Sequence, residues 1–216
     1  MIPRIINLAG YHTMGVSVVF VKLGACALAF VALTGCKLAA ENSEAQTPGF
    51  LPAARWDHLP QGSAWTEATL RALEAEGAVL VNSVPADVAE FCPGYAEANP
   101  DQRRAFWVGF LSAAAKFESR WNPLARGGGG TYKGLMQISD ATARANGCEA
   151  GAALLDGERN LSCAVRVMAR HVGRDGAVVG GGDRGWLGAA RDWMPLRKKS
   201  TRSELAGWTS AQNYCR

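Results

Sequence analysis

The feature that most constrains the fold of this chain is a long amphipathic helix predicted near its middle. Asn99-Pro100-Asp101 has the composition of a helix start: a capping side chain, a proline that suits the first turn, and an acid that the helix dipole favours. Apolar side chains then recur at helical spacing, at Phe106, Phe110, Ala113, Ala114 and Phe117. Asn122-Pro123 marks a point that the helix cannot pass. We expect this helix to lie at the centre of the core.

The rest of the sequence predicts a mainly α domain. The other predicted helices are residues 66–76, capped by Thr66, residues 86–91, one that Ser139 caps, one that Asp156 caps, and one from Asp183 to about Pro195. Alternating strand-like segments are scarce, and one short hairpin is predicted around residues 132–138. We therefore expect a mainly α fold, with a small β-hairpin as the one strand element.

The first residues have the layout of an export signal. Lys22 precedes an uncharged run over residues 23–35, which is shorter than the ~20 apolar residues that span a bilayer. Leu33-Thr34-Gly35-Cys36 resembles the bacterial lipobox, which implies that Cys36 is acylated and becomes the mature N-terminus. A plain secreted protein is the alternative. Lys37 follows the cysteine, and in Gram-negative lipoproteins this resemblance implies an outer-membrane destination.

Three segments follow from this pattern. We predict a lipoprotein signal peptide over residues 1–35, a lipid-anchored flexible tether over 36–62, and one globular domain over 63–216. The tether is rich in Ala, Glu, Gln and Pro and would let the domain reach away from its lipid. Trp56, near the end of the tether, is a candidate for docking on the domain.

The charge of the exported chain argues against nucleic acid as a partner. The whole sequence has a net charge of +4, and removal of residues 1–36, which hold Arg4 and Lys22 and no acid, leaves +2. So small a charge does not point to nucleic acid, and it is compatible with a substrate that carries peptide carboxylates.

Four cysteines remain in the exported domain, and in an oxidising compartment that number indicates two disulfides. Of the three possible pairings we favour Cys148–Cys163, which closes a short loop, with Cys92–Cys215, which ties the C-terminus to the start of the domain. A zinc site is the rival interpretation, but the sequence has no C-x-x-C pair and its three histidines are scattered. We therefore predict no metal.

Glu118 is the candidate catalytic residue. It lies in the final turn of the predicted central helix, where the helix dipole disfavours an acid, beside the apolar side chain of Phe117. Burial against apolar groups disfavours the charged form of a carboxyl, so the acid keeps a proton that it can give to a glycosidic oxygen. The alternative is an ordinary surface Glu paired with Lys116, Arg120 or Arg126.

Two short motifs resemble those of soluble-type lytic transglycosylases, the lysozyme-like enzymes that cleave bacterial peptidoglycan. Glu118-Ser119 and Gly134-Leu135-Met136-Gln137 match the family's first two motifs at their usual separation. The resemblance implies a lysozyme-like fold, Glu118 as the acid/base, and glycan binding by Ser119, Gly134, Leu135, Met136 and Gln137. Ser119 can also hydrogen-bond to the catalytic carboxylate, and Leu135 and Met136 could equally be core residues.

The family's third motif, an Ala-Tyr-Asn-Ala-Gly-like run on a late helix, is missing. Gly188-Ala189-Ala190-Arg191-Asp192-Trp193 takes its place. Trp193 can supply the aromatic surface that the family's Tyr offers to the sugar, although it can equally be a core residue.

A second carboxylate is the usual requirement of hydrolytic glycosidases. Asp140, Asp156 and Asp183 are each explained as helix-start residues, which leaves Asp192 as the best reserve. The resemblance implies a single acid/base instead: Glu118 protonates the leaving oxygen and then takes the C6 hydroxyl proton of the same N-acetylmuramic acid.

The combined prediction is an exported, periplasmic enzyme, a monomer anchored by lipid to the outer membrane and acting on peptidoglycan strands without a cofactor. It would cleave the β-1,4 bond between N-acetylmuramic acid and N-acetylglucosamine and leave a 1,6-anhydro end. The alternatives are a muramidase that hydrolyses the same bond and a non-catalytic lipoprotein that binds the wall.

Overall fold

The computed structural model describes residues 51–181 and 185–216 of the 216-residue chain. The export signal, Cys36, most of the tether and Asp183 lie outside these residues. The described helices are α1 (Gly62–Glu76), α2 (Ala78–Asn82), α3 (Pro100–Glu118), α4 (Asp140–Ala145), α5 (Gly157–Asp175) and α6 (Lys199–Ser210). Strands β1 (Arg126–Gly127), β2 (Tyr132–Lys133) and β3 (Ile138–Ser139) form an antiparallel sheet in that order. No helix in the described ranges is long and apolar enough to cross a membrane.

Helix α3 is the central helix that the sequence predicts. The Asn99 side chain accepts hydrogen bonds from the backbone N–H groups of Asp101 and Gln102, and the Gln102 side chain accepts one from the Asn99 backbone. Every residue from 105 to 115 is buried, and α1, α2 and α6 pack against the helix. The mainly α architecture and the position of α3 are confirmed.

Aromatic side chains fix α3 in its place. Tyr95 donates its hydroxyl to the Leu80 carbonyl at 2.6 Å, and the Trp107 indole donates to the same carbonyl at 3.1 Å. Phe106 lies edge-on to both Tyr95 and Trp107. Large buried rings whose polar ends are satisfied stabilise a core strongly, so these contacts anchor the first half of α3.

Residues 51–59, which we call the N-terminal strap, pack on the domain. Trp56 is 0% exposed, and its indole donates to the Thr66 hydroxyl at 2.9 Å. Helix α1 begins at Gly62, so Thr66 is a buried hydrogen-bond partner inside the helix and its predicted capping role is wrong. The packed part of the chain includes residues ahead of 63, and Trp56 docks as the sequence allows.

The C-terminal third differs most from the prediction. The described part of the helix expected up to Pro195 is instead two short 3₁₀ turns, Gly188–Arg191 and Met194–Arg197. Gly185 and Gly188 have φ values of +82° and +56°, a left-handed backbone that interrupts a helix. The apolar side chains of this segment recur at helical spacing and so predicted a helix, but the left-handed backbone at Gly185 and Gly188 prevents one from forming.

Two smaller differences from the prediction are a helix that is shorter than expected and a helix that was not expected. The predicted helix over residues 86–91 is reduced to a 3₁₀ turn, Val88–Glu90. Helix α6 was not predicted, because the segment is mostly polar and buries only Thr201, Leu205 and Thr209. The short helix capped by Ser139, the helix capped by Asp156 and the hairpin near residue 132 are all present.

Both disulfides have the favoured pairing. Cys92–Cys215 spans a separation of 123 residues and ties the last turn of the chain to the segment before α3. Cys148–Cys163 spans 15 residues and joins the loop after α4 to helix α5.

Candidate active site

Glu118 is the last residue of α3 and lines an open groove of about 690 Å³. The groove lies between the end of α3, the turn that follows it, and the sheet. The Oε1 atom of Glu118 is buried and has no hydrogen-bond partner among the described residues. Burial raises the pKa of Glu118 from 4.5 to about 8. The carboxyl is therefore protonated at neutral pH.

The alternative of a surface Glu in an ordinary ion pair is contradicted. Within the described residues Glu118 makes no ion pair with Lys116, Arg120 or Arg126, and the Lys116 ammonium instead lies 2.5 Å from a carboxylate oxygen of Glu204. An adjacent cation would have lowered the pKa of Glu118, since it stabilises the charged carboxylate.

The turn after Glu118 has a strained backbone. Arg120 and Trp121 have φ values of +54° and +60°, in the left-handed region that costs side-chain-bearing residues roughly 1–2 kcal/mol each. The Trp121 indole donates to the Ser112 carbonyl at 2.8 Å, and its ring packs edge-on against His58 of the strap. Gln137 (φ +46°) is the other non-glycine residue with a left-handed backbone in the described ranges, and it lines the same groove. Strain of this kind concentrates at functional sites.

Gln137 forms the sheet side of the groove. Its amide nitrogen donates to the carbonyls of Gly134 and Ala125, at 2.9 Å and 3.3 Å. A Cβ at Gly127 would lie 2.4 Å from the Gln137 side-chain oxygen, so a larger residue here would displace the end of the Gln137 side chain. The backbone thus orients Gln137 at the groove, and its amide oxygen keeps capacity to accept a further hydrogen bond.

Ser119 also lines the groove. Its hydroxyl lies 3.4 Å from the Ala115 carbonyl, one turn back along α3, and makes no hydrogen bond to Glu118. The bond suggested between Ser119 and the catalytic carboxylate is therefore absent from this structure.

Gly134, Leu135 and Met136 lie in the packing behind the groove. A Cβ at Gly134 would lie 2.1 Å from the Leu154 carbonyl oxygen, and Leu135 and Met136 are 0% exposed. The buried Asn160 accepts a hydrogen bond from the Met136 backbone at 2.8 Å and donates to the Leu154 carbonyl at 2.9 Å. Gly134, Leu135 and Met136 thus shape the loop that carries Gln137. The side chains of Leu135 and Met136 pack in the core and do not line the groove.

Trp193 occupies the core beside this loop. It is 2% exposed, and its indole donates to the Met136 carbonyl at 2.9 Å. Its ring is accordingly a brace for the loop and offers no open aromatic surface in this structure. The segment before it is held by Asp175, whose carboxylate binds Arg191 through both oxygens and accepts from the Gly188 backbone at 2.8 Å.

Glu118 is the one acid that lines the groove among the described residues. Asp140 and Asp156 accept hydrogen bonds from backbone N–H groups, and Asp192 lies 2.5 Å from the His171 ring. These three carboxylates are thus committed elsewhere, while Asp183 lies outside the described residues. In the ranges 51–181 and 185–216, no group of His, Cys, Asp and Glu is arranged to hold a metal ion.

Several groove features were missed from the sequence. Arg120 and Arg126 were considered only as partners of Glu118, and His58 and Glu204 were not considered. No sequence signal marks the left-handed backbone at Arg120, and the strap and α6 are distant from Glu118 along the chain. His58 and Glu204 were therefore missed because only tertiary packing brings them near the site, whereas Arg120 and Arg126 are close to Glu118 in sequence and only their role as groove-lining residues was missed.

A mainly α domain with a buried acid at a helix end, beside a small antiparallel sheet and an open groove, belongs to the lysozyme-like class. The family described as Transglycosylase SLT domain matches residues 96–187. The chain belongs to this family, whose members act on peptidoglycan glycan strands, and it has the lysozyme-like SLT fold.

Solved structures of DslA are similar to this chain. Its wild-type form 2 is 31% identical, with a TM-score of 0.69, and the match covers 76% of this chain and 98% of that one. Two mutants of DslA, in each of which one Glu is replaced by Gln, are 31% and 30% identical and both have TM-scores of 0.70. Those matches cover 76% and 77% of this chain and 98% and 99% of theirs. No curated protein matches the chain significantly.

Proposed function

We propose that this protein is a peptidoglycan lytic transglycosylase that cleaves the β-1,4 bond between N-acetylmuramic acid and N-acetylglucosamine. The observation that supports this reaction best is the buried, unpaired carboxyl of Glu118, the one acid lining the groove in the described residues. Paired-acid glycosidases need a second carboxylate within roughly 5–9.5 Å of the first. A single acid/base suffices when the nucleophile is a hydroxyl of the substrate itself.

The proposed reaction returns the proton to its source. Protonated Glu118 gives its proton to the glycosidic oxygen while the bond from that oxygen to C1 of N-acetylmuramic acid breaks. The resulting carboxylate accepts the proton of the C6 hydroxyl, and the C6 oxygen bonds to C1 to form the 1,6-anhydro ring. A pKa raised by burial suits both steps, because the acid is protonated at the start and is a strong base afterwards. Gln137 and Ser119 are the proposed glycan contacts.

The proposed location depends on the sequence before the described residues. The lipobox-like Leu33-Thr34-Gly35-Cys36 supports export and acylation at Cys36, and Lys37 supports an outer-membrane anchor facing the periplasm. The protein would act there as a monomer, and residues 37–50 would give the domain its reach. The proposed chemistry requires neither a metal nor an organic cofactor.

A peptidoglycan digest tests this function. The full chain, purified in detergent, is incubated with purified peptidoglycan, and the released fragments are identified by mass spectrometry. Glu118→Gln is run in parallel, with Glu97→Gln as the matched control because Glu97 is an exposed acid outside the groove. We expect 1,6-anhydro fragments from the wild type and from Glu97→Gln, and none from Glu118→Gln.

Each other outcome contradicts the proposal in a distinct way. Reducing-end fragments would identify a muramidase and require a second carboxylate, which would direct attention to Asp183. No release by a folded protein that still sediments with the wall would identify a binding protein. Equal activity in Glu118→Gln would exclude Glu118 as the acid.

A further inference from the structure

Two arginines line the groove beside the catalytic acid. Arg120 comes from the turn after α3 and Arg126 from β1, and both residues are exposed. In the described part of the chain neither guanidinium makes a hydrogen bond or an ion pair. Each therefore keeps its full set of donors for a partner from outside.

Most arginines of the domain are held by the protein itself. Arg103 donates to three backbone carbonyls, and Arg202 donates to two. Within residues 51–181 and 185–216, the arginines whose side chains have no partner are Arg120, Arg126 and Arg144, and Arg144 lies on α4 outside the groove. The concentration of two such arginines in one catalytic groove points to an anionic group of the substrate.

The backbone under both arginines is ordered. Arg120 lies in the left-handed turn that the Trp121 indole anchors to the Ser112 carbonyl. Arg126 pairs with Lys133 across the sheet. Side chains on anchored backbone lose less entropy on binding than side chains on a loose loop, which favours a site for ligand recognition.

Glu118 is not the anion that these arginines serve. No ion pair joins it to either of them, and burial is the one cause that shifts its pKa. Of the other charged groups near the groove, Lys116 and Arg55 share one ion-pair partner, Glu204, and His58 packs on Trp121. Both arginines line the groove that holds Glu118, so a glycan strand bound there would lie beside them, and neither lowers the pKa of Glu118.

Taking the proposed function as given, we infer that Arg120 and Arg126 form a subsite for the free carboxylates of the peptide stems carried by N-acetylmuramic acid. A guanidinium binds a carboxylate through two parallel hydrogen bonds, which a neutral sugar cannot provide. The preferred substrate is therefore a glycan strand that still bears its stems, and strands stripped of peptide are cleaved less efficiently.

The cleavage test compares soluble glycan strands that bear their stems with strands from which an amidase has removed them, and the lactyl carboxylate that the amidase leaves on N-acetylmuramic acid is then capped as a methylamide. The full chain carries Arg120→Gln with Arg126→Gln, and Arg144→Gln is the matched control. We expect the double variant to lose about tenfold in kcat/KM, mainly through KM, on stem-bearing strands and to lose clearly less on stripped strands. Arg120→Lys with Arg126→Lys should recover part of the loss, because the charge is kept and the paired hydrogen bonds are not. An equal loss on both substrates, or no loss on either, would overturn the inference.

A binding measurement separates failure of this subsite from failure of the proposed reaction. The full chain with Glu118→Gln is sedimented with stem-bearing or stripped wall material, with and without the two arginine substitutions. Preferential binding to stem-bearing material that the substitutions abolish supports the subsite even if no cleavage is ever seen. Cleavage by the wild type without any difference in binding between the two materials would support the reaction and refute the subsite.

Discussion

Two carboxyl groups, at the ends of the two longest helices in the described part of the chain, have opposite environments. Glu118 at the end of α3 has a buried oxygen without a partner in the described residues, and burial raises its pKa to about 8. Asp175 at the end of α5 accepts hydrogen bonds from Arg191, Gly188 and Arg174, and these hold its pKa far below the usual range of an aspartate. Both acids lie where the helix dipole disfavours negative charge, so position on a helix does not decide their protonation.

The comparison shows how one domain keeps one acid reactive and another structural. Asp175 is satisfied by neighbours and ties the segment leading to Trp193 to helix α5. That segment in turn supports the Met136 carbonyl behind the groove. Glu118 is left unsatisfied, which costs stability and provides a proton donor near neutral pH. The partnered acid helps to build the scaffold that the unpartnered acid needs.

The largest expected effect is the loss of catalysis in Glu118→Gln. General acid–base catalysis contributes roughly 10²–10⁴-fold, so peptidoglycan cleavage should fall by at least 10²-fold while the protein stays folded. The rate of soluble fragment release measures the loss, and circular dichroism checks the fold. A comparable loss in Glu97→Gln would point to a general effect of replacing a Glu.

The next effect is on stability, in Asp175→Asn. The substitution removes the charge that Arg191 binds and leaves buried donors poorly matched, which should cost about 3 kcal/mol in free energy of unfolding. Urea unfolding at pH 7 measures it, with Asp101→Asn as the control because the Asp101 side chain is 91% exposed. Since the pKa of Asp175 is lowered in the folded state, its contribution should begin to decline as the pH falls below about 4 and should be lost only at the much lower pH at which the folded carboxyl is protonated. A cost that does not change with pH would show that packing, and not charge, is what Asn fails to replace.

The third effect is on the stability of Glu118→Gln. In contrast to Asp175→Asn, this substitution should stabilise the protein relative to the wild type, and the gain should grow as the pH rises. Folding raises the pKa of Glu118 from 4.5 to about 8, so between these values the folded state binds more protons than the unfolded state. Stability of the wild type therefore falls as the pH rises through this window, and Glu118→Gln escapes that loss. We expect the free energy of unfolding of Glu118→Gln, measured with urea, to rise by several kcal/mol relative to that of the wild type between pH 4 and pH 8.5. An identical difference at both pH values would mean that the Glu118 carboxyl is not perturbed.

The smallest expected effect tests the geometry of the Asp175 pair. Arg191→Lys keeps the charge and loses the paired hydrogen bonds, so the free energy of unfolding, measured with urea, should fall slightly. Arg174→Lys is the matched control, because Arg174 reaches the same carboxylate through one nitrogen at 3.1 Å and is 49% exposed. We expect the control to change stability by less than about 0.5 kcal/mol. Equal changes in the free energy of unfolding in the two variants would show that the paired hydrogen bonds of Arg191 stabilise the protein no more than the single contact of Arg174 does.

Prediction from sequence succeeded where structure is determined over short chain distances. The start of α3 was identified from Asn99-Pro100-Asp101, and α5 from its cap and apolar stripe, because capping and helical periodicity are local properties. It failed for residues 185–195, where apolar spacing suggested a helix but left-handed glycines impose short turns. Helix α6 escaped notice because its exposed surface is mostly polar and its few buried residues carry weak periodicity.

The candidate site divides in the same way. Glu118 and Gln137 could be named from their motifs, and the structure brings both to one groove. Leu135, Met136 and Trp193 could not be assigned correctly to groove or core, since an apolar or aromatic residue suits both settings and only packing distinguishes them.

The sequence by itself determined the family, the central helix, the acid at its end and the number of cysteines available for disulfides. These features depend on residue type and spacing along a few turns of chain. Only the tertiary structure decided that Glu118 has no partner in the described residues, that Asp175 has several, and that Arg120 and Arg126 face the same groove. Burial and ion pairing depend on side chains that are far apart in sequence, as Asp175 and Arg191 are, and folding alone brings them together. The groove is lined by residues between 116 and 137, but the turn after α3 and the sheet decide which of their side chains face it.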